Sequence, residues 1–161
     1  MSGTTWAAVG TPPPTNSGAG ETNAPIVRAT VTGELYLASM IRTTPSTYHV
    51  TAARLEAGEW TLLGGPLVTA GSARDFDVLI DAGGALVVAS VEISLAAMTD
   101  PLFTYRWSGT DWQPPAPPLS AMPSMSYVVT PHLLLDSRGR WVAVWGAGGT
   151  HGPVYVARHQ P

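Results

Sequence analysis

Aromatic side chains next to polar groups are the residues of this sequence best suited to bind a ligand. Five of them are candidates: Trp145, Tyr48, His49, His151 and Trp107. Flat aromatic faces stack on the C–H faces of sugars, and nearby donors bond the sugar hydroxyls. Trp145 is the strongest candidate, because it stands at the mouth of a long loop where two related segments have Ser39 and Ser90. Packing between sheets is the alternative role for Trp145, and the more frequent one.

Outside these candidates, the sequence contains no pattern that predicts a catalytic residue, a metal site or a cofactor. The chain has no cysteine, and its four histidines form no His-x-His or His-x-x-x-His pair. Asp75 and Asp77 are spaced to form an acid/base pair, although solvated residues at the start of a strand are the commoner case. The glycine-rich segment 146–152 lacks the lysine and following helix of a phosphate loop. We therefore predict that the protein is not an enzyme.

Composition predicts a single all-β domain. The 161 residues include 17 glycines and 15 prolines but only 12% charged residues, which is typical of short strands joined by turns. The net charge is −3, and all eight basic residues are arginine. So few scattered cations argue against a surface that binds nucleic acid or an anionic membrane. No signal peptide and no membrane-spanning run is visible. The cellular compartment is left open, since a mature secreted form would look the same.

One strand–turn–strand pattern occurs three times in the chain. Its turn glycines are Gly33, Gly84 and Gly139, and the turn opens with Asp81 and Asp136 in the last two copies but with Thr30 in the first. Asp followed three residues later by Gly predicts a tight hairpin whose glycine has a positive φ.

Each copy continues into a third strand that carries an arginine. These arginines are Arg54, Arg106 and Arg158, and a tryptophan follows the first two by six residues, at Trp60 and Trp112. The third copy has no such tryptophan. The chain instead begins with Gly3-Thr4-Thr5-Trp6, which matches Gly109-Thr110-Asp111-Trp112. We therefore predict three four-stranded units, at about 24–65, 74–117, and 130–159 together with 3–10.

These units resemble the β-propeller repeats that are common in bacterial proteins. The resemblance is carried by Asp136 to Trp145 and by Tyr105 to Trp112, and the first unit departs from it at Thr30 and Leu55. It implies four-stranded blades spanning nearly the whole chain. The repeated tryptophans would then pack between outer strands, and the repeated arginines would pair with turn carboxylates such as Asp81 and Asp136.

Three blades are too few to close a propeller, which typically needs four to eight. The strands are also apolar on both faces, which predicts a neighbouring sheet on each side. We therefore expect a homodimer that forms one six-bladed ring, in which the Trp6 strand of one chain completes the third blade of the other. Deleting residues 1–10 would then abolish the dimer. An isolated piece of a longer propeller is the alternative.

The predicted function is a non-enzymatic, lectin-like propeller that binds a glycan. Its binding face would be the rim that collects the links between units and the loops after each second strand, since function gathers on loops held by a rigid scaffold. The alternative is a structural or protein-interaction scaffold, or a self-assembling propeller fragment, with no small-molecule site.

Overall fold

The computed structural model describes residues 7–10, 22–69, 71–93, 100–113, 117–119, 128–147 and 152–160. These residues form three antiparallel sheets and no helix, so the all-β prediction is confirmed. In the described ranges there is accordingly no helix of the length and hydropathy that a membrane span requires.

Strands follow one another in chain order within each sheet. Sheet 1 consists of β1 (Thr22–Ala29), β2 (Leu35–Thr44), β3 (Thr47–Glu56) and β4 (Glu59–Leu62). Sheet 2 consists of β5 (Ser72–Ile80), β6 (Leu86–Ile93), β7 (Leu102–Trp107) and β8 (Trp112–Gln113). Sheet 3 consists of β9 (Val128–Leu135), β10 (Trp141–Ala147) and β11 (Val154–Arg158).

The hairpin turns have the predicted geometry. Gly33, Gly84 and Gly139 have φ values of 90°, 83° and 73°, which a residue with a Cβ adopts only with strain. In the second turn, the Gly84 N–H donates to the Asp81 carbonyl at 2.9 Å, and the Asp81 carboxylate accepts two further backbone N–H groups. In the first turn, the Thr30 hydroxyl accepts the Glu34 N–H at 3.0 Å, so a hydroxyl replaces the carboxylate.

Sheet 2 lies between the other two sheets. Phe76 and Val78 of β5 pack in a core shared with sheet 1, whereas Leu79 of the same strand packs in a core shared with sheet 3. Strand β6 is buried on both faces for the same reason, and its residues from Leu86 to Glu92 are all buried. The apolar pattern on both faces of this strand therefore reflects two neighbouring sheets.

The first strands of the three sheets, β1, β5 and β9, are called the inner strands here because they lie next to one another. Each sheet has a register shift near the start of its inner strand: between Asn23 and Ile26, between Ala73 and Asp75, and opposite Val144 to Gly146. We call this end of the sheets the long-loop rim, and the end with Gly33, Gly84 and Gly139 the hairpin rim.

Sheet 3 has three strands in the described part of the chain, and its last strand, β11, is open along one edge. The side chains of Val154 and Val156 point away from sheet 2 and are 70% and 67% exposed. Of the predicted strand 3–10, residues 3–6 lie outside the described residues. Residues 7–10 lie against sheet 1, where the Trp60 indole N–H donates to the Val9 carbonyl at 3.4 Å.

Candidate functional site

The two candidate tryptophans are not accessible ligand platforms. Trp145 is 4% exposed and lies in the core between sheets 2 and 3, with its ring stacked on Tyr155 at 5.7 Å. Trp107 is 6% exposed and lies in the core between sheets 1 and 2, edge-to-face with Trp112 at 5.2 Å. Both rings fill space between sheets, so the prediction of a sugar platform at these positions is corrected to one of packing.

Of the other three candidates, the structure describes Tyr48 and His49. Tyr48 and His49 are half-buried on β3, and the Tyr48 backbone N–H donates to the Ser72 hydroxyl of sheet 2 at 2.9 Å. Burial lowers the pKa of His49, against the opposing effect of the Glu92 charge. His151 lies outside the described residues.

The repeated tryptophans lie where one sheet meets the next. The Trp112 indole N–H of sheet 2 donates to the Leu63 carbonyl of sheet 1 at 2.6 Å. Trp60 has the same position on sheet 1, where its partner is Val9. Trp6 lies outside the described residues.

The repeated arginines bind carboxylates near the hairpin turns. Arg106 donates to Asp81 at 2.7 Å, and the Arg158 Nε lies 3.3 Å from Asp136. Arg54 binds Glu56 instead, because the first turn has Thr30 in place of the aspartate.

A cavity of about 410 Å³ opens at the hairpin rim between sheets 2 and 3. It is lined by Asp81, Arg106, Arg140, Trp141 and His159, and the last two rings are stacked at 4.1 Å. Its guanidinium groups already bind carboxylates of the hairpin turns. Arg106 binds Asp81 at 2.7 Å, and Arg140 binds Asp136 at 2.8 Å. The arginines that line this cavity therefore form ion pairs that stabilise the hairpin turns.

Asp75 and Asp77 join the inner strands and do not face solvent as a pair. Asp77 is buried: its carboxylate accepts the Leu133 N–H of β9 at 2.8 Å and a guanidinium N–H of Arg28 of β1 at 3.2 Å. The expectation of a solvated residue is therefore wrong for Asp77. Asp75 is half-buried, and its two oxygens accept the Phe76 N–H and the Thr130 N–H, each at 2.9 Å.

The backbone that holds Asp75 is strained. Thr130 has a φ of 45°, which is a genuine outlier for a β-branched residue and costs on the order of 1–3 kcal/mol. Such strain persists only where the surroundings impose it, and it is found most often at functional sites. This conformation directs the Thr130 N–H at the Asp75 carboxylate. Sequence patterns did not reveal this contact at the long-loop rim.

A second charged pair lies beside Asp75. Arg74 occupies the register shift between Ala73 and Asp75, and its guanidinium donates to Asp100 at 2.8 Å. The Asp100 side chain is 10% exposed and that of Arg74 is 36% exposed. Bulges of this kind redirect a side chain and recur next to active sites. Arg74, Asp75 and Asp100 thus place charged groups together at the long-loop rim.

Glu92 forms a polar cluster with Tyr105, which is also buried, and with Thr69, which is exposed. Its carboxylate is fully buried and accepts the Tyr105 hydroxyl and, at 2.8 Å, the Thr69 N–H. Desolvation and the hydrogen bond to Glu92 raise the pKa of Tyr105. In the sequence, the sign of this cluster is one carboxylate, Glu92, within the mainly apolar strand β6. Glu92 and Tyr105 are buried where neighbouring elements meet, so their hydrogen bond stabilises that contact.

Among the residues that the structure describes, no group of three histidine or carboxylate side chains is arranged to hold a metal ion.

Comparison with known proteins identified no matching family model and no matching curated protein. Among solved structures, the chain is similar to the endo-arabinase from Bacteroides thetaiotaomicron VPI-5482, with a TM-score of 0.55 and 14% sequence identity. The match covers 84% of this chain and 54% of that one, so the chain spans about half the length of that structure. This likeness shows a shared fold.

The comparison contradicts the predicted function. A non-enzymatic, lectin-like module, with a passive scaffold as its alternative, was expected from the sequence. The fold match is instead to an enzyme, endo-arabinase, and two of the five candidate residues, Trp145 and Trp107, are buried between sheets.

Proposed function

We propose that this chain belongs to a carbohydrate-active enzyme of the glycoside hydrolase type. The observation that carries the proposal is the fold likeness to an endo-arabinase over 84% of the chain. The substrate class would be a polysaccharide, and arabinan is the first to test. Fold alone does not determine activity, so the proposal depends equally on the charged groups of the long-loop rim.

In this proposal the three sheets are successive blades of a β-propeller, and two copies of the chain form a six-bladed ring. The order of strands within each sheet, the contact between inner strands and the face-to-face packing of sheets support the blades. The axis of the ring would run beside the inner strands, and the rim at which they begin would carry the reaction centre.

Asp75 is the carboxylate that we assign to the chemistry. Glycoside hydrolysis uses two carboxyl groups: one protonates the leaving oxygen, and the other is the nucleophile or the base that activates water. Asp75 is assigned to the second of these roles. A nucleophile or a base requires a fixed orientation, and the N–H groups of Phe76 and Thr130 provide it by binding one oxygen each. The half-buried position of Asp75 leaves its carboxylate within reach of the rim, unlike the enclosed Glu92.

Arg74 and Asp100 are assigned to substrate binding. Their guanidinium and carboxylate groups supply several hydrogen-bond donors and acceptors beside Asp75. Sugar hydroxyls both donate and accept, so a fixed ion pair at this position can orient a ring relative to the reacting carboxylate.

The test is release of reducing sugar from arabinan and from a panel of xylan, galactan and arabinoxylan. Asp75→Asn keeps the size of the side chain and removes its charge, and it is expected to lower kcat at least about 100-fold, as loss of a general base typically does. Asp111→Asn, in an exposed turn, is the matched control and should retain activity.

Asp77→Asn separates a chemical from a structural role. Asp77 is buried and binds two other inner strands, so its replacement should lower the melting temperature. If Asp75→Asn lowers the melting temperature equally and spares kcat, Asp75 is only structural. If the folded wild-type chain cleaves no polysaccharide in the panel, the proposed activity is wrong.

A further inference from the structure

The joint between sheets 1 and 2 has a specific construction. Where β4 ends, the Leu63 carbonyl accepts the Trp112 indole N–H at 2.6 Å. The next residue, Gly64, has a φ of 67°, and a Cβ on it would lie 3.3 Å from the Trp112 ring. The end of an outer strand is thus seated on the tryptophan of the following sheet.

Residues near the N-terminus repeat this construction on sheet 1. The Val9 carbonyl accepts the Trp60 indole N–H at 3.4 Å. Gly10 has a φ of 72°, and a Cβ on it would lie 3.2 Å from the Trp60 ring. Carbonyl, positive-φ glycine and tryptophan are arranged as in the joint between sheets 1 and 2.

The sequence spacing agrees with the contacts. Trp6 precedes Val9 by three residues and Gly10 by four, as Trp60 precedes Leu63 and Gly64. Residues 7–10 therefore have the position that the end of an outer strand would have in a sheet preceding sheet 1.

Within one chain, no described sheet precedes sheet 1. Sheet 3 packs on the opposite face of sheet 2, through Leu79 and Leu133, whereas sheet 1 packs on the face with Phe76 and Val78. Sheet 3 is also the sheet whose outer strand, β11, lacks a partner among the described residues. An open strand edge with exposed apolar side chains is a ready template for another chain.

We infer that the N-terminal segment of a second copy, through residues 7–9, adds to β11 as the fourth strand of sheet 3. The occupant is a second copy because the same segment is seated on sheet 1 of its own chain, and sheet 1 would then follow sheet 3 of the partner. Such a head-to-tail contact closes after two copies and gives a ring. This inference rests on the proposed two-copy ring and is independent of the proposed activity.

The register of the added strand follows from the other two sheets. In sheet 1, Arg54 lies opposite Thr61 and Ala53 lies opposite Leu62. In sheet 2, Arg106 lies opposite Gln113. Aligning the repeated tryptophans and arginines places Ala7 opposite Arg158 and Ala8 opposite Ala157.

The pair of Ala8 and Ala157 is suited to a cross-link. Its equivalent, Ala53–Leu62, is next to the hydrogen bond from the Leu63 N–H to the Ala52 carbonyl, at 2.8 Å, and is therefore a non-hydrogen-bonded pair. The Cα atoms of such pairs are about 4.5 Å apart, which a disulfide can span. The chain has no cysteine of its own, so only introduced thiols react.

The experiment mixes two single variants, Ala8→Cys and Ala157→Cys, that carry different mass tags, and oxidises them after exchange. The expected product is a covalent heterodimer of both tags, lost on reduction. Ala8→Cys mixed with Ala82→Cys, whose thiol would lie in an exposed turn of the hairpin rim, is the control and should form at least about ten times less heterodimer.

Three results would overturn the inference. One is a disulfide within a single chain of the double variant Ala8→Cys/Ala157→Cys, since the segment would then complete its own sheet 3. Another is a dimer that forms with no Ala8–Ala157 cross-link. The last is a mass of 16.8 kDa for the wild-type chain at all concentrations in native mass spectrometry. Sugar release, measured on the same samples, reports separately on the activity.

Discussion

At the scale of single residues, the same residue types have different roles according to what surrounds them. Asp75 and Asp77 are two positions apart on one strand, yet Asp77 is buried between inner strands and Asp75 lies at the rim. Asp81 and Asp136 stabilise hairpin turns and bind two of the three repeated arginines, Arg106 and Arg158. Asp75 differs from these three aspartates in accepting an N–H from a residue with a strained backbone, Thr130.

The lowered pKa of Asp136 predicts how the stability of the fold depends on pH. Desolvation alone would raise its pKa, but hydrogen bonds from the Arg140 side chain and from the backbone of Arg140 and Arg138 lower it to about 2, from 3.8. Because the folded pKa lies below the ordinary value, the ionised group stabilises the fold above about pH 4. That contribution is lost as pH falls from 4 towards 2.

Asp136→Asn tests this, because the amide keeps an oxygen for the turn and removes the charge. The gap in urea midpoint between wild type and variant should be largest above pH 4 and should narrow towards pH 2. Asp111→Asn is the control, and no gap is expected for it. A gap independent of pH would contradict the assignment.

At the scale of elements, contacts between neighbouring sheets explain features that the strands alone do not. The polar cluster of Glu92, Tyr105 and Thr69 lies between the end of β6, strand β7 and the link that leaves sheet 1. The hairpin turns of sheets 2 and 3 also touch, because a Cβ on Gly139 would lie 2.9 Å from the Cβ of Ala82. Turn glycines with similar φ values therefore differ in how crowded they are.

Gly139→Ala is expected to destabilise the protein more than Gly84→Ala. Both substitutions put a side chain at positive φ, at a cost of about 1–2 kcal/mol. Only the first also meets Ala82, since nothing lies within 4 Å of a Cβ at Gly84. Overpacking of this kind adds about 1–3 kcal/mol.

The measurement is the free energy of unfolding of each variant by urea denaturation. The double variant Ala82→Gly/Gly139→Ala should recover most of the additional loss, because it removes the atom that clashes. Equal losses of unfolding free energy for Gly139→Ala and Gly84→Ala would show that a Cβ at residue 139 does not clash with Ala82.

At the scale of the whole molecule, the described chain is an arc of three sheets with unlike ends. One end presents Val27 of β1 and the N-terminal residues 7–10. The other presents Leu134, Val154 and Val156 of sheet 3, which are exposed apolar side chains on the face turned away from sheet 2. In the proposed ring these two ends meet.

Val156→Asp is expected to weaken the proposed dimer without unfolding the chain. In the single chain the side chain is exposed, but in the ring its unpaired charge would be buried, at a cost of about 3–5 kcal/mol. The dissociation constant should rise at least about 100-fold in sedimentation velocity. Val31→Asp is the control, because Val31 is fully exposed in the first hairpin turn. Equal effects of both variants would count against this face as the interface.

Sequence reasoning predicted the local features of this protein correctly. The three hairpins and the positive φ of Gly33, Gly84 and Gly139 depend on residues within four positions of each other, and the all-β class follows from composition. Such short-range preferences are visible in any sequence that contains them. The unit boundaries and the homodimer stay predictions, since they concern sequence divisions and contacts beyond a single chain.

The tertiary structure alone decided which side chains are accessible. Trp145 and Trp107 looked like binding residues in the sequence but are covered by neighbouring sheets. Asp75 and Asp77 bind backbone groups 55 and 56 residues away, at Thr130 and Leu133. No local pattern encodes partners so distant in the chain, because burial and hydrogen bonding across sheets arise only when the sheets pack.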